Sequence, residues 1–282
     1  MISDKEFDVI ITPNRKWYDL RLRELFRYKD LIYLLFKRNF ISQYKQTILG
    51  PAWFFINPVM SALVSTVIFG KIAKISSDGI PYFLFYLVGN TLWNYFASCV
   101  SATSSTFTAN AGIMGKVYFP RLTVPIASVI FSAINMLIVF MISLVTIITY
   151  IILGWSIHPD FHIIFIPMLM VQTAILGLGV GIIISSLTTK YRDFAVLVTY
   201  GLGLWMYLTP VVYPISEVPE KLKPIILLNP MSAIVQNYKY ALLGIGTFEI
   251  GYWMISLVVT ILLFFAGLVL FNKVEKTFMD TV

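Results

Sequence analysis

The chain has 282 residues, of which 58% are hydrophobic and 12% charged, with a mean hydropathy of +0.82. A water-soluble domain carries about twice that charged fraction, so the composition excludes an ordinary globular protein and makes a bilayer the natural solvent. The formal net charge is +7, and the single cysteine, Cys99, excludes an internal disulfide framework.

The opening MISDKEFDVI mixes acids with one lysine and lacks the apolar core of a signal peptide, so it is expected to be retained. Residues 1–50 read as an N-terminal segment carrying one helix. In WYDLRLRELFRYKDLIYLLFKRNF, Leu22, Leu25, Tyr28, Ile32 and Leu35 recur at helical spacing, with Arg21, Arg23, Arg27 and Lys37 among them. A basic amphipathic helix of this kind is expected to lie in the plane of the membrane interface. The alternative is a solvated helix that packs on a partner.

Residues 51–282 read as an all-α membrane domain. Six uncharged apolar runs are long enough to cross hydrocarbon, near 52–70, 82–107, 122–152, 163–188, 194–213 and 250–272. Pro58 and Pro167 fall inside spans, which membrane helices tolerate when neighbours satisfy the freed carbonyl. Six crossings put both termini on one side. The terminal side then carries 16 Lys and Arg, ten of them before residue 50, against five on the other side: Lys71, Lys74, Lys221, Lys223 and Lys239. The positive-inside rule assigns both termini to the cytoplasm, and the positive net charge reads as this bias, not as nucleic-acid binding.

After the fifth run the chain stays hydrophobic but is broken at Pro210, Pro214, Pro219, Pro224 and Pro230. Proline removes a donor and clashes with the preceding turn, so no continuous helix crosses the segment. Irregular backbone at membrane depth survives only inside protein or beside a wet cavity. Region 210–249 is therefore predicted to hold short re-entrant helices on the external side. Glu217, Glu220, Lys221 and Lys223 would mark the outward turn, and MSAIVQNYKYALLG would form a second short helix with Ser232 as its cap. The bland alternative is an external loop resting on the membrane.

Reactive chemistry is sparse. No Gly-x4-Gly-Lys-Ser/Thr phosphate loop occurs; GIMGKV has the wrong spacing. Gly177, Gly179 and Gly181 in LGLGVG lie inside an apolar run with no strand before them, so they read as a close helix–helix approach and not a dinucleotide fingerprint. His158 and His162 are separated by Pro159, which breaks the helix that would align them as metal ligands. No paired carboxylates fall within the apolar runs, where ion-coupled transporters keep ionisable groups. The aromatics Trp53, Tyr86, Trp93, Trp205, Tyr207 and Tyr213 lie near span ends. They read either as an interfacial belt or as rings that stack on sugars along a pathway.

FKRNFISQYKQTILGPAWFFINP, through Arg38, Tyr44, Lys45, Thr47, Leu49, Gly50, Trp53 and Pro58, resembles the entry to the first span in membrane subunits of type-2 ABC exporters. It is most similar to the branch exporting lipid-linked O-antigen, capsule or teichoic-acid polysaccharide. NAGIMGKVYFPRLTVP, YRDF, LTPVVYPISEVP and LLNP match in order, so the resemblance covers nearly the whole chain; Thr209 stands where Ser is expected. It implies a homodimer in the bacterial cytoplasmic (inner) membrane with a pathway between the copies. Two separate ATP-binding subunits would dock beneath, with ATP and Mg held there and no cofactor in this chain. Lipid-linked glycan would be the substrate and membrane lipids the surroundings, with no nucleic-acid partner. Segment 108–121 would be the coupling loop, presenting Lys116, Tyr118 and Arg121, with Arg192 and Asp193 nearby, paired with the N-terminal segment or capping the fifth helix. The proline-broken region would be the outer gate. An exporter of drugs or small lipids shares this fold, and a polytopic membrane transferase or a scaffold subunit without cargo remains open as a different class. The missing phosphate loop predicts that the purified chain alone neither binds ATP tightly nor hydrolyses it; equilibrium binding of labelled nucleotide checks this, and tight binding would refute it.

Overall fold

A computed structural model describes residues 22–45, 48–117, 119–189, 191 and 193–281. The described residues form eleven α-helices and short 3-10 turns, with no strand among them. In order these are α1 Leu22–Arg27, α2 Lys29–Tyr44, α3 Trp53–Ser65, α4 Tyr82–Ser104, α5 Thr106–Met114, α6 Thr123–Ile152, α7 Ile166–Thr188, α8 Phe194–Tyr207, α9 Lys223–Leu228, α10 Pro230–Leu243 and α11 Ile250–Thr281. Helix α3 continues as a wider π-helical stretch, Thr66–Ile72.

Among the described residues, four stretches are long and apolar enough to cross a membrane: Gly50–Ile72, Thr123–Ile152, Phe161–Thr188 and Ile250–Val274. The other two expected crossings differ in kind. Helix α4 has 23 residues, about 34 Å at the usual helical rise, but Asn90, Thr91, Asn94, Ser98, Ser101 and Thr103 lower its hydropathy. It lies at the centre of the fold, with most of its residues buried by other helices. Helix α8 is only 14 residues long, about 21 Å, and stops at Tyr207, before Pro210 and Pro214.

Small residues set the packing. A Cβ on Gly177 would stand 2.6 Å from the Cβ of Cys99, and one on Gly181 2.6 Å from the Cβ of Thr103, so this edge of α7 lies flush on α4. Gly179 faces the other way, where an added Cβ would meet the Phe264 backbone at 2.9 Å; on α11, a Cβ on Gly267 would lie 2.8 Å from the Gly179 carbonyl oxygen. The LGLGVG stretch thus serves close approach on two sides, as the sequence suggests.

A second cluster gathers the α5 end of the molecule. Leu25, Leu35, Phe107, Met114, Phe119 and Phe271 are buried together there, with Tyr28 and Ile32 packed against them. Phe36 and Phe40 of α2 approach Phe131 of α6 at 6.4 and 6.3 Å. The stripe Leu25, Tyr28, Ile32 and Leu35 thus packs against the chain's own helices. Phe26, Tyr33 and Leu34 remain exposed elsewhere on α1 and α2, so apolar side chains are not confined to one face.

Replacing Gly181 with Leu should force α4 and α7 apart and cost about 1–3 kcal/mol, the usual penalty of overpacking. The expected result is a lowered thermal unfolding midpoint in detergent, whereas the same change at Gly201, which has open space around it, should leave the midpoint nearly unchanged.

Candidate functional site

Two features stand out. The first is a groove of about 420 Å³ between α3, α4 and α6, lined by Asn57, Pro58 and Ser61, by Asn94, Ala97, Ser98 and Ser101, and by Asn135 and Val139. Asn94, Ser98 and Ser101 recur at four- and three-residue spacing and therefore share one face of α4. Some buried hydroxyls elsewhere bond back to their own helix, such as Thr91 to Leu87 O at 2.8 Å, Ser143 to Val139 O at 2.9 Å and Thr173 to Leu169 O at 2.8 Å, while others, such as Thr103 and Ser185, have no partner. Among the described residues, Asn57, Ser61, Asn94, Ser98 and Ser101 make no side-chain hydrogen bond, and the buried Asn135 Oδ1 has no donor. The groove therefore offers uncharged amide and hydroxyl groups, both donors and acceptors, to whatever enters.

The second feature is the break after α8. Lys239 of α10 is 1% exposed. Its Nζ donates to the carbonyls of Pro210 and Val211, both at 2.8 Å, and stands 3.7 Å from the centre of the Phe85 ring. Counted by linear position, Lys239 was an external loop charge; the structure corrects this, because the residue is enclosed. Asn229 joins the break to α10. Its Nδ2 donates to Thr209 Oγ1 at 3.0 Å and Leu208 O at 3.3 Å, while its Oδ1 accepts from Trp205 Nε1 at 3.0 Å and Met231 N at 3.2 Å. Asn229 is therefore the cap of α10, with Pro230 in its first turn. The expected cap, Ser232, instead reaches back to Leu208 O at 3.5 Å. Ser216 donates to Asp78 Oδ1 at 2.7 Å, tying the segment to the turn before α4.

Exposure along the break alternates. Pro210, Val211, Val212, Pro214 and Ile215 are buried; Glu217, Pro219, Glu220, Lys221 and Pro224 are exposed; α10 is buried again. Lys223 pairs with Glu220 at 2.6 Å at the exposed turn.

The six aromatics do not form one surface. Tyr86 and Trp93 are buried in the core. Trp93, Phe96 and Trp205 form a ladder with ring separations of 5.5 and 5.2 Å. Trp53 and Tyr207 are exposed, and Tyr213 donates its hydroxyl to the Tyr207 carbonyl at 3.1 Å.

At the α5 end, Lys116 is exposed and Arg121 half-buried, with Thr123 bonding to Pro120 O at 2.8 Å where α6 begins. Arg38 Nη2 donates to Asn110 Oδ1 at 3.2 Å, joining α2 to α5. Asp193 precedes α8, but its side chain makes no capping bond, contrary to the capping role suggested for it. Tyr118 and Arg192 lie outside the described residues. His162 packs 4.3 Å from Phe248 and its Nδ1 is 3.2 Å from Asp160. The Tyr240 hydroxyl, then His162, holds the Asp160 carboxyl below its ordinary range.

The groove and the capped break left different traces in the sequence. Asn94, Ser98 and Ser101 were legible as a helical stripe but are submerged in an apolar average. Lys239 had no local signal, since its partners lie 28 and 29 residues away.

Comparison with known proteins adds family evidence. A family model described as ABC-2 type transporter matches residues 30–243. An O-antigen export system permease protein RfbA of Klebsiella pneumoniae is 29% identical over 252 residues, covering 89% of this chain and 94% of that protein. The RfbA of Myxococcus xanthus is 27% identical over 220 residues, 77% and 82% of the two chains. The capsule polysaccharide export inner-membrane protein CtrC of Neisseria meningitidis is 23% identical over 265 residues, 90% and 95% of the two.

Proposed function

The chain belongs to the ABC-2 type transporter family of multi-pass bacterial inner-membrane proteins, and on that premise we propose that it is the membrane subunit of an exporter of lipid-linked polysaccharide. Two copies would enclose the pathway, and two separate ATP-binding subunits would drive it. The observation that carries the substrate class is the neutral groove. A glycan presents many hydroxyls and needs donors and acceptors without fixed charge. Asn57, Ser61, Asn94, Ser98, Ser101 and the undonated Asn135 oxygen supply that set. An ion-coupled carrier would call for ionisable groups at this depth, and an exporter of apolar drugs for an apolar lining. The relatives named for O-antigen and capsule export support the same class.

In this reading α4 and α8 cross together with the four long apolar stretches, giving six crossings with both termini cytoplasmic. Helix α8 is short because the buried part of the break completes its depth. Helices α9 and α10 re-enter from outside, and the segment from Pro210 to Pro230 forms the outer gate. The pairing into a homodimer is supported by α8, where Val198 is the one buried residue. An apolar helix so little covered by its own chain needs lipid or a second copy against it. At the cytoplasmic end, α5 and the following turn would carry the ATPase contact through Lys116, Tyr118 and Arg121, with Arg192 and Asp193 beside it. The Arg38–Asn110 bond would hold α2 to that contact.

The combined change Asn94→Leu and Ser98→Leu should lower export about tenfold, the worth of one or two lost neutral hydrogen bonds. Basal ATP hydrolysis of the assembled transporter should stay unchanged. Surface glycan and ATPase rate measured together decide it, and undiminished export would remove the groove from the pathway. Arg121→Glu should instead separate the two readouts, leaving hydrolysis and membrane insertion but abolishing export; normal export by this variant would refute the coupling assignment.

A further inference from the structure

We propose that Lys239 is the latch that holds the outer closure shut, by pinning the carbonyls of Pro210 and Val211 to the face of α4. The inference rests on the reading that the proline-broken segment lies across the pathway, and it adds the residue that positions it.

The argument begins with the break itself. Helix α8 ends at Tyr207, and the prolines that follow offer no N–H to continue the ladder. The Pro210 and Val211 carbonyls are therefore without helical donors at a place the fold buries: Val211 is 0% exposed and Pro210 is buried. An unsatisfied buried carbonyl costs about 1–3 kcal/mol. Both are satisfied by one amino group at 2.8 Å, whose remaining direction is taken by the Phe85 ring at 3.7 Å.

No carboxylate lies within ion-pair distance of Lys239 among the described residues; its direct contacts are these carbonyls and the ring, with Asp78 acting from farther off. Both sides of the contact depend on the other: releasing the segment would strand a buried amino group and two buried carbonyls at once. That reciprocity is what a two-position closure requires. Intermediate positions, in which the amino group has left one partner without finding another, are unfavourable.

The seat is also shaped. A Cβ on Gly89 of α4 would stand 2.6 Å from the Val211 oxygen and 2.8 Å from Lys239 Cε. Only glycine lets the break, α10 and α4 meet at this point. Farther along, Ser216 holds Asp78 at 2.7 Å, at an exposed surface where water competes. The inner pin is thus dry and the outer tie wet. Freeing the Lys239 contact releases the segment, and freeing the Asp78 contact alone does not.

The test places a cysteine at Val211 in the full transporter, with its ATPase partner, and keeps the native Cys99 as internal control. Cys99 is buried in α4 at 0% exposure. A membrane-impermeant maleimide is applied from outside, and labelling at the two sites is read separately by mass spectrometry. With Lys239 present, both cysteines should be protected at rest. Lys239→Met keeps the side-chain length and removes every donor. It should raise labelling at position 211 about tenfold or more through local opening, with Cys99 still protected. Gly89→Ala, whose Cβ would crowd the Val211 oxygen and the Lys239 side chain together, should do the same by breaking the seat, and carries the test if the Met variant fails to insert. Protection of both cysteines in both variants overturns the latch. Labelling of both cysteines together also overturns it, since that is general loosening. During ATP turnover the parental protein should show labelling at position 211, and Lys239→Met should lose that dependence because its segment is already free. Release by Lys239→Met with no turnover dependence in the parent keeps the pin and refutes the gate reading on which its function rests.

Discussion

Hydrocarbon offers no water to a backbone carbonyl, so each one must find its donor inside the protein. The break after α8 is organised by that requirement. The prolines after α8 end the helix and leave carbonyls without helical donors, and side chains of the next helical unit answer them. Asn229 takes Leu208, and Lys239 takes Pro210 and Val211. Because Asn229 is also the cap of α10, the break and the helix that follows it are one structural unit: neither keeps its hydrogen bonds without the other. The same unit extends inward, since Trp205 of α8 donates to Asn229 and rests on Phe96 of α4.

The neutral groove is the complement of this rule. In the core, many polar side chains are consumed locally, by back-bonding within a helix or by short networks, whereas the groove's Asn57, Ser61, Asn94, Ser98 and Ser101 are exposed. Trp253, Gln172 and Ser256 form one such network, with contacts of 2.7 and 2.9 Å, and Ser256 ends it on the Pro230 carbonyl at 2.8 Å. Where polar groups in a membrane domain are neither consumed nor charged, they represent hydrogen-bonding capacity set aside. A hydroxyl-rich chain can use that capacity without the desolvation cost that a charged lining would impose.

Much of the helical plan was legible from sequence because its causes are local. Length and hydropathy placed the runs of α3, α6, α7 and α11, the prolines marked the break, and the spacing of Gly177 and Gly181 signalled close packing. What stayed hidden was tertiary. The stripe on α1 and α2 has the right period for an interface helix, but period alone does not say whether lipid or α5 and α6 cover it. Lys239 was counted by its place in the chain, and charge counting assumes that a lysine between spans reaches water. Ser232 looked like a cap because it precedes an apolar run, yet Pro230 had already started the helix, which moved the cap to Asn229. Helix α4 was taken as an ordinary span because its polar residues are uncharged; their shared face matters more than their average.

Helix α11 brings the two ends of the molecule into one mechanical frame. At one end Phe271 stacks on Phe107 of α5 with ring centres 4.6 Å apart. At the other, Glu249 N donates to Asn237 of α10 at 2.9 Å and Ser256 bonds the Pro230 carbonyl. Between them Gly179 and Gly267 bring α7 and α11 to backbone contact, which removes the side-chain layer that would otherwise absorb sliding. A close-packed interface of this kind is stiff. Motion imposed on α5 therefore has two outlets: loss of the aromatic stack, or displacement of α11 together with the hydrogen bonds that seat α10. The second keeps both the aromatic stack and the hydrogen bonds of α10, so no contact is lost at either end.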